Sequence, residues 1–275
     1  MHREDPHRRL AESVGEELHA AGLAQEECKA LLDQLPSKWE RFSDVVLLPG
    51  SAFREEWDIH ASEGLWSAVS EALKVDRVAR LGEISGEMRE SSVEMLLGED
   101  DWVVRRESGV DYGYNLTQCM FSAGNVNERR RMGEVAGAGE VVVDLYAGIG
   151  YYSLPILVHS RVDHVHCCEW NPNAVRALES NLESNGVAGR CTIHVGDNRV
   201  TATKLEGVAD RVVLGLLPSA GDGYGLAMDA LSPTGGVLHV HGVAAAGDYA
   251  AWADGVTGSL REMGGGCSFD AAEPL

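Results

Sequence analysis

The chain has 275 residues, of which 44% are hydrophobic, and carries a formal net charge of −20. Its length and ordinary apolar content suit one large or two modest globular domains, and no apolar run approaches the ~20 residues that a membrane helix needs. A uniformly acidic surface would repel a phosphate backbone, so binding to nucleic acid would require local basic patches.

The cysteines and the N-terminus indicate the cellular compartment. The six cysteines show no Cys-x-x-Cys spacing, and several lie in apolar, strand-like segments. This pattern indicates reduced core thiols, and neither a disulfide framework nor a zinc site. Residues 1–10 are too polar for a secretory signal. We therefore expect a cytoplasmic protein that has no membrane partner and holds no metal.

The first third of the chain predicts two helices followed by a small domain. Apolar residues recur at helical spacing in residues 1–32, and Gly22 divides this segment into a helical pair. Pro36 marks the boundary. We predict a helical N-terminal extension over residues 1–34 and a small α+β domain over residues 35–111.

The small domain contains one clear strand, one clear helix and several tryptophans. The apolar run Val45–Leu48 predicts the strand, and apolar residues on one side of Glu63–Leu73 predict an amphipathic helix. Trp39, Trp57 and Trp66 are candidates for stacking on RNA bases, although core packing is the expected role of most of them.

Two runs of arginine are the candidate basic patches of this acidic chain. Arg105 and Arg106 form one run, and residues 129–131 form the other. The alternative is that these arginines pair with nearby acids such as Glu107 and Glu128, which is the commoner fate of surface arginines. The residues alone leave both interpretations open.

The stretch over residues 141–150 organises the rest of the chain. Consecutive valines and Asp144 predict a short buried strand with an acidic end. Gly148 and Gly150 predict a turn in which the backbone can approach a ligand, and residues 151–159 predict the helix that closes it. Strand, glycine turn and helix form the nucleotide-binding corner of a doubly wound α/β fold.

The next two predicted strands also end in polar residues. Strand 165–168 ends in Glu169, about 20 residues past the glycine turn, which is the spacing at which an acidic residue holds ribose hydroxyls. Strand 191–195 is followed by Asp197 and Asn198. Because parallel strands present their carboxyl ends at one edge of the sheet, we predict a ligand site there.

S-adenosylmethionine matches these strand ends better than NAD does. Ser153 stands where a dinucleotide fingerprint has its third small residue, which weakens the NAD interpretation without excluding it. With S-adenosylmethionine as the ligand, Glu169 would hold the ribose and Asp197 the adenine amino group. Asp144 would then lie near the positively charged methionyl end.

Two more strands are predicted beyond this site, over residues 209–217 and residues 236–241. His239 and His241 share one face of the last strand by the two-residue period. A metal pair would lack a third ligand. Satisfied structural histidines are the expected interpretation, and a proton shuttle is the alternative.

Several motifs between residues 35 and 241 resemble one enzyme family. The motifs are LPSKWE (35–40), DVVLLP (44–49), TQCMFSAGN (117–125), DLYAGIGYY (144–152), CEWNPN (168–173), GDN (196–198) and LGLLPS (214–219). Together they resemble the wybutosine-synthesising aminocarboxypropyltransferases, which are close relatives of the tRNA guanine-37 N1-methyltransferases. The LGLLPS run favours the aminocarboxypropyl branch.

The resemblance implies a fold and an activity. The fold is α/β, with a Rossmann-like class I S-adenosylmethionine-dependent transferase domain over residues 112–275 and a smaller N-terminal α+β domain that helps to hold tRNA. The activity is transfer of the 3-amino-3-carboxypropyl group from S-adenosylmethionine, the co-substrate, to C7 of 4-demethylwyosine at position 37 of phenylalanine tRNA. Methylthioadenosine is released.

The resemblance adds Ser122 and Arg129 to the site residues that the strand ends predict. Those expected to contact the cofactor are Ser122, Arg129, Asp144, Gly148, Glu169, Asp197 and Asn198. A guanidinium facing the methionyl carboxylate is physically sensible, because charge-assisted pairs are strong. Relatives usually have lysine at the place of Arg129, so the charge is kept while the geometry changes.

The reacting base is expected to border the loop that contains Ser219, after leaving the anticodon stack. Relatives usually have asparagine where Val213 stands, so a polar contact is expected to be missing. A group that removes the C7 proton would help the reaction. The sequence does not identify it, and the candidates are Asp144, Ser219 and His239.

The C-terminal region predicts a last helix over residues 248–263 and then at most one strand, where the family's sheet is expected to have two. We therefore expect a truncated or divergent C-terminus.

Three functions are consistent with the patterns in the whole sequence. The first is the aminocarboxypropyltransferase, and the second is a tRNA guanine-37 N1-methyltransferase. The third is a non-catalytic RNA-binding relative, which the acidic charge, Val213 and the short tail would suit.

Overall fold

A computed structural model of the protein describes residues 5–82, 84–85 and 90–264. The chain divides into two compact units. The first contains Met1–Arg105 and Gly113–Phe121, and the second contains Arg106–Tyr112 and Ser122–Leu275. The domain boundaries predicted after residues 34 and 111 stay predictions.

The first unit is an α+β body. Its elements in chain order are α1 (Pro6–Ala20), α2 (Gln25–Leu32), β1 (Glu40–Phe42), β2 (Val45–Leu48), α3 (Glu63–Leu73), β3 (Arg77–Arg80), β4 (Ile84–Ser85), β5 (Glu90–Ser91) and β6 (Glu94–Leu97). One sheet has the order β1-β2-β3-β6, with β2 and β3 parallel and the outer pairs antiparallel. Strands β4 and β5 pair separately.

The N-terminal helices share one core with the elements that follow them. Leu10 and Val14 of α1 lie in the same buried cluster as Val46 of β2 and Leu65 of α3. The predicted helical pair is present, and Gly22 lies between its helices with φ at 91°. A φ in this range favours glycine, which explains why the break falls there.

The tryptophans of the first unit mostly serve the core, as expected. Trp57 and Trp66 are buried in this cluster, and their indole rings meet Phe53 edge-on. Trp39 packs against the edge of the cluster. Buried rings at these positions contribute packing area and leave little surface for stacking on RNA bases.

Two strands contain residues of both units. Strands β7 (Trp102–Glu107) and β8 (Val110–Asn115) form a two-stranded sheet. Residues 106–112, around the turn of this hairpin, belong to the second unit.

The second unit is a parallel α/β sheet. Its elements are α4 (Val126–Val135), β9 (Val141–Asp144), α5 (Ser153–His159), β10 (His164–Glu169), α6 (Pro172–Ser184), β11 (Cys191–Val195), α7 (Asn198–Thr201), β12 (Arg211–Leu214), α8 (Tyr224–Ala230), β13 (Val237–Val240) and α9 (Tyr249–Met263). The sheet order is β11-β10-β9-β12-β13, and every neighbouring pair is parallel. The predicted Rossmann-like fold is confirmed.

Strand β9 lies at the centre of this sheet, between β10 and β12. Val142 and Val143 are completely buried, as the run of β-branched residues predicts for a strand covered on both faces. The chain moves from β9 outward through β10 to β11, and then returns to the other side of β9. In open α/β sheets, ligands bind where the strand order reverses in this way, at the carboxyl ends.

Some predicted features differ in the structure or lie outside it. The fourth strand ends at Leu214, three residues before the predicted end, and Val213 is completely buried within it. The prediction about the strands after the last helix concerns residues 265–275, which lie outside the described residues. The described cysteines are free thiols, and four of them are buried. In the described ranges, no helix is long and apolar enough to cross a membrane.

Candidate functional site

Two hydrogen bonds bring the carboxyl ends of the first three strands of the parallel sheet together. The Gly148 amide, after β9, donates to Glu169 Oε2 at the end of β10 over 2.7 Å. The Asn198 side chain, after β11, donates to the carbonyl of Leu145 over 2.9 Å. The three strand ends therefore lie at one edge of the sheet, as predicted.

The glycine turn requires glycine for two reasons. Gly148 and Gly150 have φ values of 56° and 99°, which side chains disfavour. A β-carbon on Gly148 would collide with the ring of Tyr151, and one on Gly150 would lie 2.6 Å from Leu154 Cγ. The turn at the carboxyl edge of the sheet therefore has no room for a side chain at either glycine.

The Glu169 carboxylate is held by backbone amides. Oε2 accepts from Gly148, while Oε1 accepts from Trp170 at 2.9 Å and from Asn171 at 2.8 Å. Glu169 is only 9% exposed, and this burial raises its pKa although the three amides oppose the rise. A carboxylate has about four acceptor positions, so one remains for a ligand hydroxyl.

Asp144 is completely buried beneath the turn. Its carboxylate accepts from the Ser153 hydroxyl at 2.6 Å and from the Tyr146 amide at 3.2 Å. Burial raises the pKa of Asp144 to about 6, against the two hydrogen bonds and the charge of His241. The position that weakens the dinucleotide motif, Ser153, therefore serves to hold this carboxylate in place.

The Asp197 carboxylate is bound by Arg199, a residue of the helix that Asp197 caps. It caps α7 by accepting from the Arg199 amide at 2.9 Å, and it pairs with the Arg199 guanidinium at 2.5 Å. The hydrogen bond from the Arg199 side chain lowers the pKa of Asp197. About a third of the side chain is exposed, so it is accessible at the edge of the sheet, and its predicted contact with adenine stays a prediction.

Ser122 and Arg129 are joined through the backbone. Arg129 Nη1 donates to the Ser122 carbonyl at 2.8 Å, and Nε and Nη2 donate to the two oxygens of Glu107. Arg129 is buried, whereas Ser122 is partly exposed. A cofactor contact by either residue stays a prediction.

All five arginines of the two predicted basic runs have acidic partners. The ion pairs are Arg105–Glu40, Arg106–Asp111, Arg129–Glu107, Arg130–Glu134 and Arg131–Glu128. The alternative of pairing with nearby acids is confirmed for these side chains. Contact with RNA by the same residues stays a prediction.

His239 lies between two guanidinium groups. Its Nε2 is 2.5 Å from Arg211 Nη1, and its Nδ1 is 3.3 Å from Arg131 Nη2. Burial and the charges of these arginines lower the pKa of His239 to about 3. A neutral ring with such a low pKa is a poor acceptor for a proton at neutral pH, so the structural interpretation of His239 is favoured.

His241 has the opposite surroundings, because both of its ring nitrogens face oxygen atoms. Nε2 is 2.9 Å from Glu128 Oε1, and Nδ1 is 3.3 Å from the Leu214 carbonyl. The ring stacks on Tyr152 with centroids 4.5 Å apart. Although burial raises the pKa of Glu128, hydrogen bonds from Arg131 and His241 bring it down to about 2. Glu128 is therefore a fixed negative charge.

Ser219, Val213 and a metal site are the remaining predictions about this site, and the structure gives each of them less support. Ser219 is exposed, and its hydroxyl accepts from the Gly221 amide at 3.2 Å. Val213 lies beside Asp144 in the sheet register, inside the core, where it offers no polar contact. Within the described ranges, no group of three or more histidine, cysteine, aspartate or glutamate side chains could hold a metal ion.

Sequence reasoning missed several residues at this edge. Trp170 follows Glu169 directly and leaves 41% of its surface exposed, which is unusual for so large an apolar residue. The sequence predicts Glu107 and Glu128 only as acids near the arginine runs, and it does not predict which specific groups they bind. The one signal available for Trp170 was its place after the acidic end of a strand.

The family model described as the TRM5/TYW2 methyltransferase domain matches residues 103–249. A second model, described as the TYW2 N-terminal domain, matches residues 20–101. Both matches fall on segments that carry the sequence motifs quoted above.

Curated relatives agree with the two family models. The chain is 45% identical over 259 residues to "tRNA wybutosine-synthesizing protein 2/3/4" of Arabidopsis thaliana, covering 94% of this chain and 25% of that protein. It is 48% identical over 209 residues to the Bos taurus "tRNA wybutosine-synthesizing protein 2 homolog", covering 75% of this chain and 47% of the relative. The chain thus spans less than half the length of either relative.

One solved structure that the chain resembles is a Pyrococcus horikoshii protein, "P. horikoshii TYW2 in complex with MeSAdo". The TM-score is 0.65 at 32% sequence identity, over 79% of this chain and 75% of that chain.

Proposed function

The chain belongs to the TRM5/TYW2 methyltransferase-domain family, and on that premise we propose that it is a tRNA aminocarboxypropyltransferase. It transfers the 3-amino-3-carboxypropyl group from S-adenosylmethionine to C7 of 4-demethylwyosine at position 37 of phenylalanine tRNA. Methylthioadenosine leaves, and the product is an intermediate of wybutosine synthesis. We place the activity in the cytoplasm.

The observation that carries the choice of transferred group is the match of residues 20–101 to the TYW2 N-terminal domain. The family model over residues 103–249 is shared with methyltransferases and does not separate the two branches. The curated relatives bear names of wybutosine-synthesising proteins, which supports the same branch. The LGLLPS motif at residues 214–219 points in the same direction.

The residues at the carboxyl edge of the sheet fit S-adenosylmethionine. Gly148 permits the tight turn that brings its amide to Glu169, and Glu169 has an acceptor position left for a ribose hydroxyl. Asp197 can accept from the adenine amino group once its carboxylate turns from Arg199. We assign Asn198 to the same end of the cleft and Ser122 to the methionyl end.

S-adenosylmethionine supplies an electrophilic carbon next to its sulfonium, so the protein's task is largely to hold the reacting atoms in line, ~3–3.5 Å apart. Asp144, fixed by Ser153, places negative charge beneath the positively charged end of the ligand. Its partners allow little movement, since its side chain is fully enclosed. Asp144 therefore acts as an electrostatic anchor in this proposal.

The tRNA substrate is consistent with the family even though the chain is acidic. With the arginines of both basic runs paired to acids, long-range attraction for RNA is weak, and shape and local contacts carry more of the binding. Salt dependence of tRNA binding is accordingly expected to be shallow. The first unit, which contains the segment matched by the TYW2 N-terminal domain, is the proposed tRNA-holding part.

Calorimetry and by-product analysis test this proposal. The protein is titrated with S-adenosylmethionine and then incubated with tRNA that carries the tricyclic precursor. Methylthioadenosine as the nucleoside by-product supports aminocarboxypropyl transfer. S-adenosylhomocysteine would instead identify a methyltransferase, and no binding at millimolar S-adenosylmethionine would identify a non-catalytic relative.

A further inference from the structure

Tyr146 has contacts on two sides of the carboxyl edge of the sheet. It lies two residues after the end of β9, and its amide donates to Asp144 Oδ1 at 3.2 Å. Its partly buried ring packs against a cluster that contains Leu214 of β12 and Tyr224 of α8. The tyrosine therefore connects the central strand of the parallel sheet with the elements on the other side of β9.

The Tyr146 hydroxyl is hydrogen-bonded to the Asn198 side chain. Asn198 also donates to the Leu145 carbonyl at 2.9 Å, and it follows Asp197, the proposed partner of adenine. A carboxamide has two N–H donors and an acceptor oxygen, so both contacts of Asn198 can be made together. Burial raises the pKa of Tyr146 although Asn198 opposes the rise, so the hydroxyl keeps its proton at neutral pH.

The same hydroxyl lies against Gly223, at the end of the acceptor loop. This name is used for residues 215–223, which connect β12 to α8 and contain Ser219. A β-carbon on Gly223 would lie 2.6 Å from the Tyr146 hydroxyl oxygen. Gly223 has φ at −91° and ψ at −4°, a conformation that other residues adopt in turns, so the contact with Tyr146 is what requires glycine here.

The start of the acceptor loop rests on a second tyrosine of the same segment. A β-carbon on Gly215 would lie 2.8 Å from Cε2 of Tyr152, which follows the glycine turn. Both ends of the loop therefore pack against the segment that runs from β9 through the turn. Tyr146 differs from Tyr152 because its hydroxyl also contacts Asn198.

We infer that Tyr146 is a positioning residue for the group transfer, and that its hydroxyl aligns the acceptor loop with the cofactor end of the site by contacting Gly223 and Asn198 together. This inference rests on the proposed function. The electrophilic carbon and the attacking base belong to two different bound molecules, and a misplacement of about 1 Å can slow such a reaction about 100-fold. A shared contact between the two sides of the site therefore affects the rate more than it affects either binding step.

The first test is Tyr146→Phe, which removes the hydroxyl and keeps the ring. Turnover is measured with S-adenosylmethionine and tRNA that carries the tricyclic precursor, and cofactor affinity is measured by titration. We expect kcat to fall about tenfold. The Kd for S-adenosylmethionine should change by less than about twofold, because Asn198 is still held by the Leu145 carbonyl.

The second test is Gly223→Ala, which disturbs the same contact from the loop. Its β-carbon would displace the Tyr146 hydroxyl, so we expect a similar fall in kcat with normal cofactor affinity. In the Tyr146→Phe background the closest atom is gone, and the alanine should then lower kcat by less than about threefold. This double-mutant cycle measures the coupling between the two residues directly.

Two matched controls accompany these variants. Tyr249→Phe removes a hydroxyl from a residue at the start of α9 that is 53% exposed. Gly225→Ala changes a glycine of α8 whose β-carbon would meet no packed neighbour within 4 Å among the described residues. Both controls should keep the kcat and the cofactor affinity of the wild-type protein.

An unchanged kcat in Tyr146→Phe would overturn the inference. A loss of cofactor affinity as large as the loss in kcat would also overturn it, since Tyr146 would then serve cofactor binding alone. Additive losses in the double variant would show that Tyr146 and Gly223 act independently, which contradicts the shared contact.

If Tyr146→Phe does not fold, as thermal melting would show, Gly223→Ala and Gly225→Ala decide the matter. A lower kcat in Gly223→Ala alone, at normal cofactor affinity, supports the inference, and equal kcat values overturn it. An inactive wild-type protein would contradict the proposed function and the inference with it. Every other contrary result is obtained with an active wild-type protein and contradicts the inference alone.

Discussion

The Gly148 amide and the Glu169 carboxylate are joined by a hydrogen bond of 2.7 Å. The turn after the first strand of the parallel sheet and the end of the second strand therefore hold each other in place. Because Glu169 also accepts from two amides of its own loop, it organises the backbone at the ligand edge before any ligand binds. Such preorganisation reduces the entropy that binding must overcome.

Replacing Glu169 by alanine should weaken S-adenosylmethionine binding by more than about tenfold, because the ribose acceptor and the tie to Gly148 are lost together. Isothermal titration measures the affinity, and circular dichroism checks that the fold is intact. The control is Glu183→Ala, an exposed acid at the end of α6. An unchanged affinity in the Glu169 variant would count against the ribose role.

Replacing Gly148 by alanine tests whether the turn after β9 requires glycine at this position. Gly148 and Gly186 both have positive φ values, 56° and 70°, but only Gly148 has a neighbour that a β-carbon would strike. We expect Gly186→Ala to cost about 1 kcal/mol of stability and to bind S-adenosylmethionine normally. Gly148→Ala should cost more and also reduce affinity. Equal behaviour of the two variants in thermal melting and titration would contradict this account of the turn.

The raised pKa of Asp144 predicts a pH-dependent stability. The native state holds this proton more tightly than the unfolded chain, because burial lifts the pKa from 3.8 to about 6. Ionisation of Asp144 therefore costs nothing below pH 3.8, and the cost grows as the pH rises and is complete above about pH 6. The full cost is about 3 kcal/mol.

The measurement is chemical unfolding of the wild-type protein and of Asp144→Asn between pH 4 and 7. Asparagine can still accept from the Ser153 hydroxyl but cannot ionise. The difference in unfolding free energy, variant minus wild type, should rise with pH through this window. A flat difference would show that Asp144 has an ordinary pKa.

Removing the charge of Glu140 should destabilise the second unit. Arg211 is buried and is bound by both oxygens of Glu140, at 2.7 and 2.9 Å, and its Nη1 also meets His239. Glu140→Gln leaves this guanidinium without a counter-charge, at a cost of about 3 kcal/mol. The exposed pair of Glu134 is the control and should cost close to nothing when broken. Urea unfolding compares the two variants, and similar midpoints would refute the argument.

Local patterns in the sequence were sufficient to predict most elements. Val45–Leu48, Glu63–Leu73 and Cys191–Val195 lie where the residues predict them, because apolar periodicity and neighbouring polar or glycine residues mark both ends. The convergence of Gly148 with Glu169 was predictable as well. It follows from the rule that parallel strands end at one edge.

Long-range pairing could not be predicted in the same way. Glu128 and His241 are 113 positions apart, and their contact depends on how α4 packs beside β13. Arg129 is followed by two further arginines, and nothing in that run distinguishes the one that becomes buried. The fourth strand was predicted to be too long for a related reason. Apolar residues continue past Leu214, although the pairing with the neighbouring strand ends there. Hydrophobicity alone does not mark that point.

The identity of the transferred group is the central claim, and carboxyl-labelled S-adenosylmethionine tests it most directly. The labelled compound is incubated with the protein and with tRNA that carries 4-demethylwyosine, and the RNA is then digested and counted. We predict that the label appears in the modified nucleoside at position 37. Unlabelled RNA, together with methyl transfer from a methyl-labelled sample, would contradict the account.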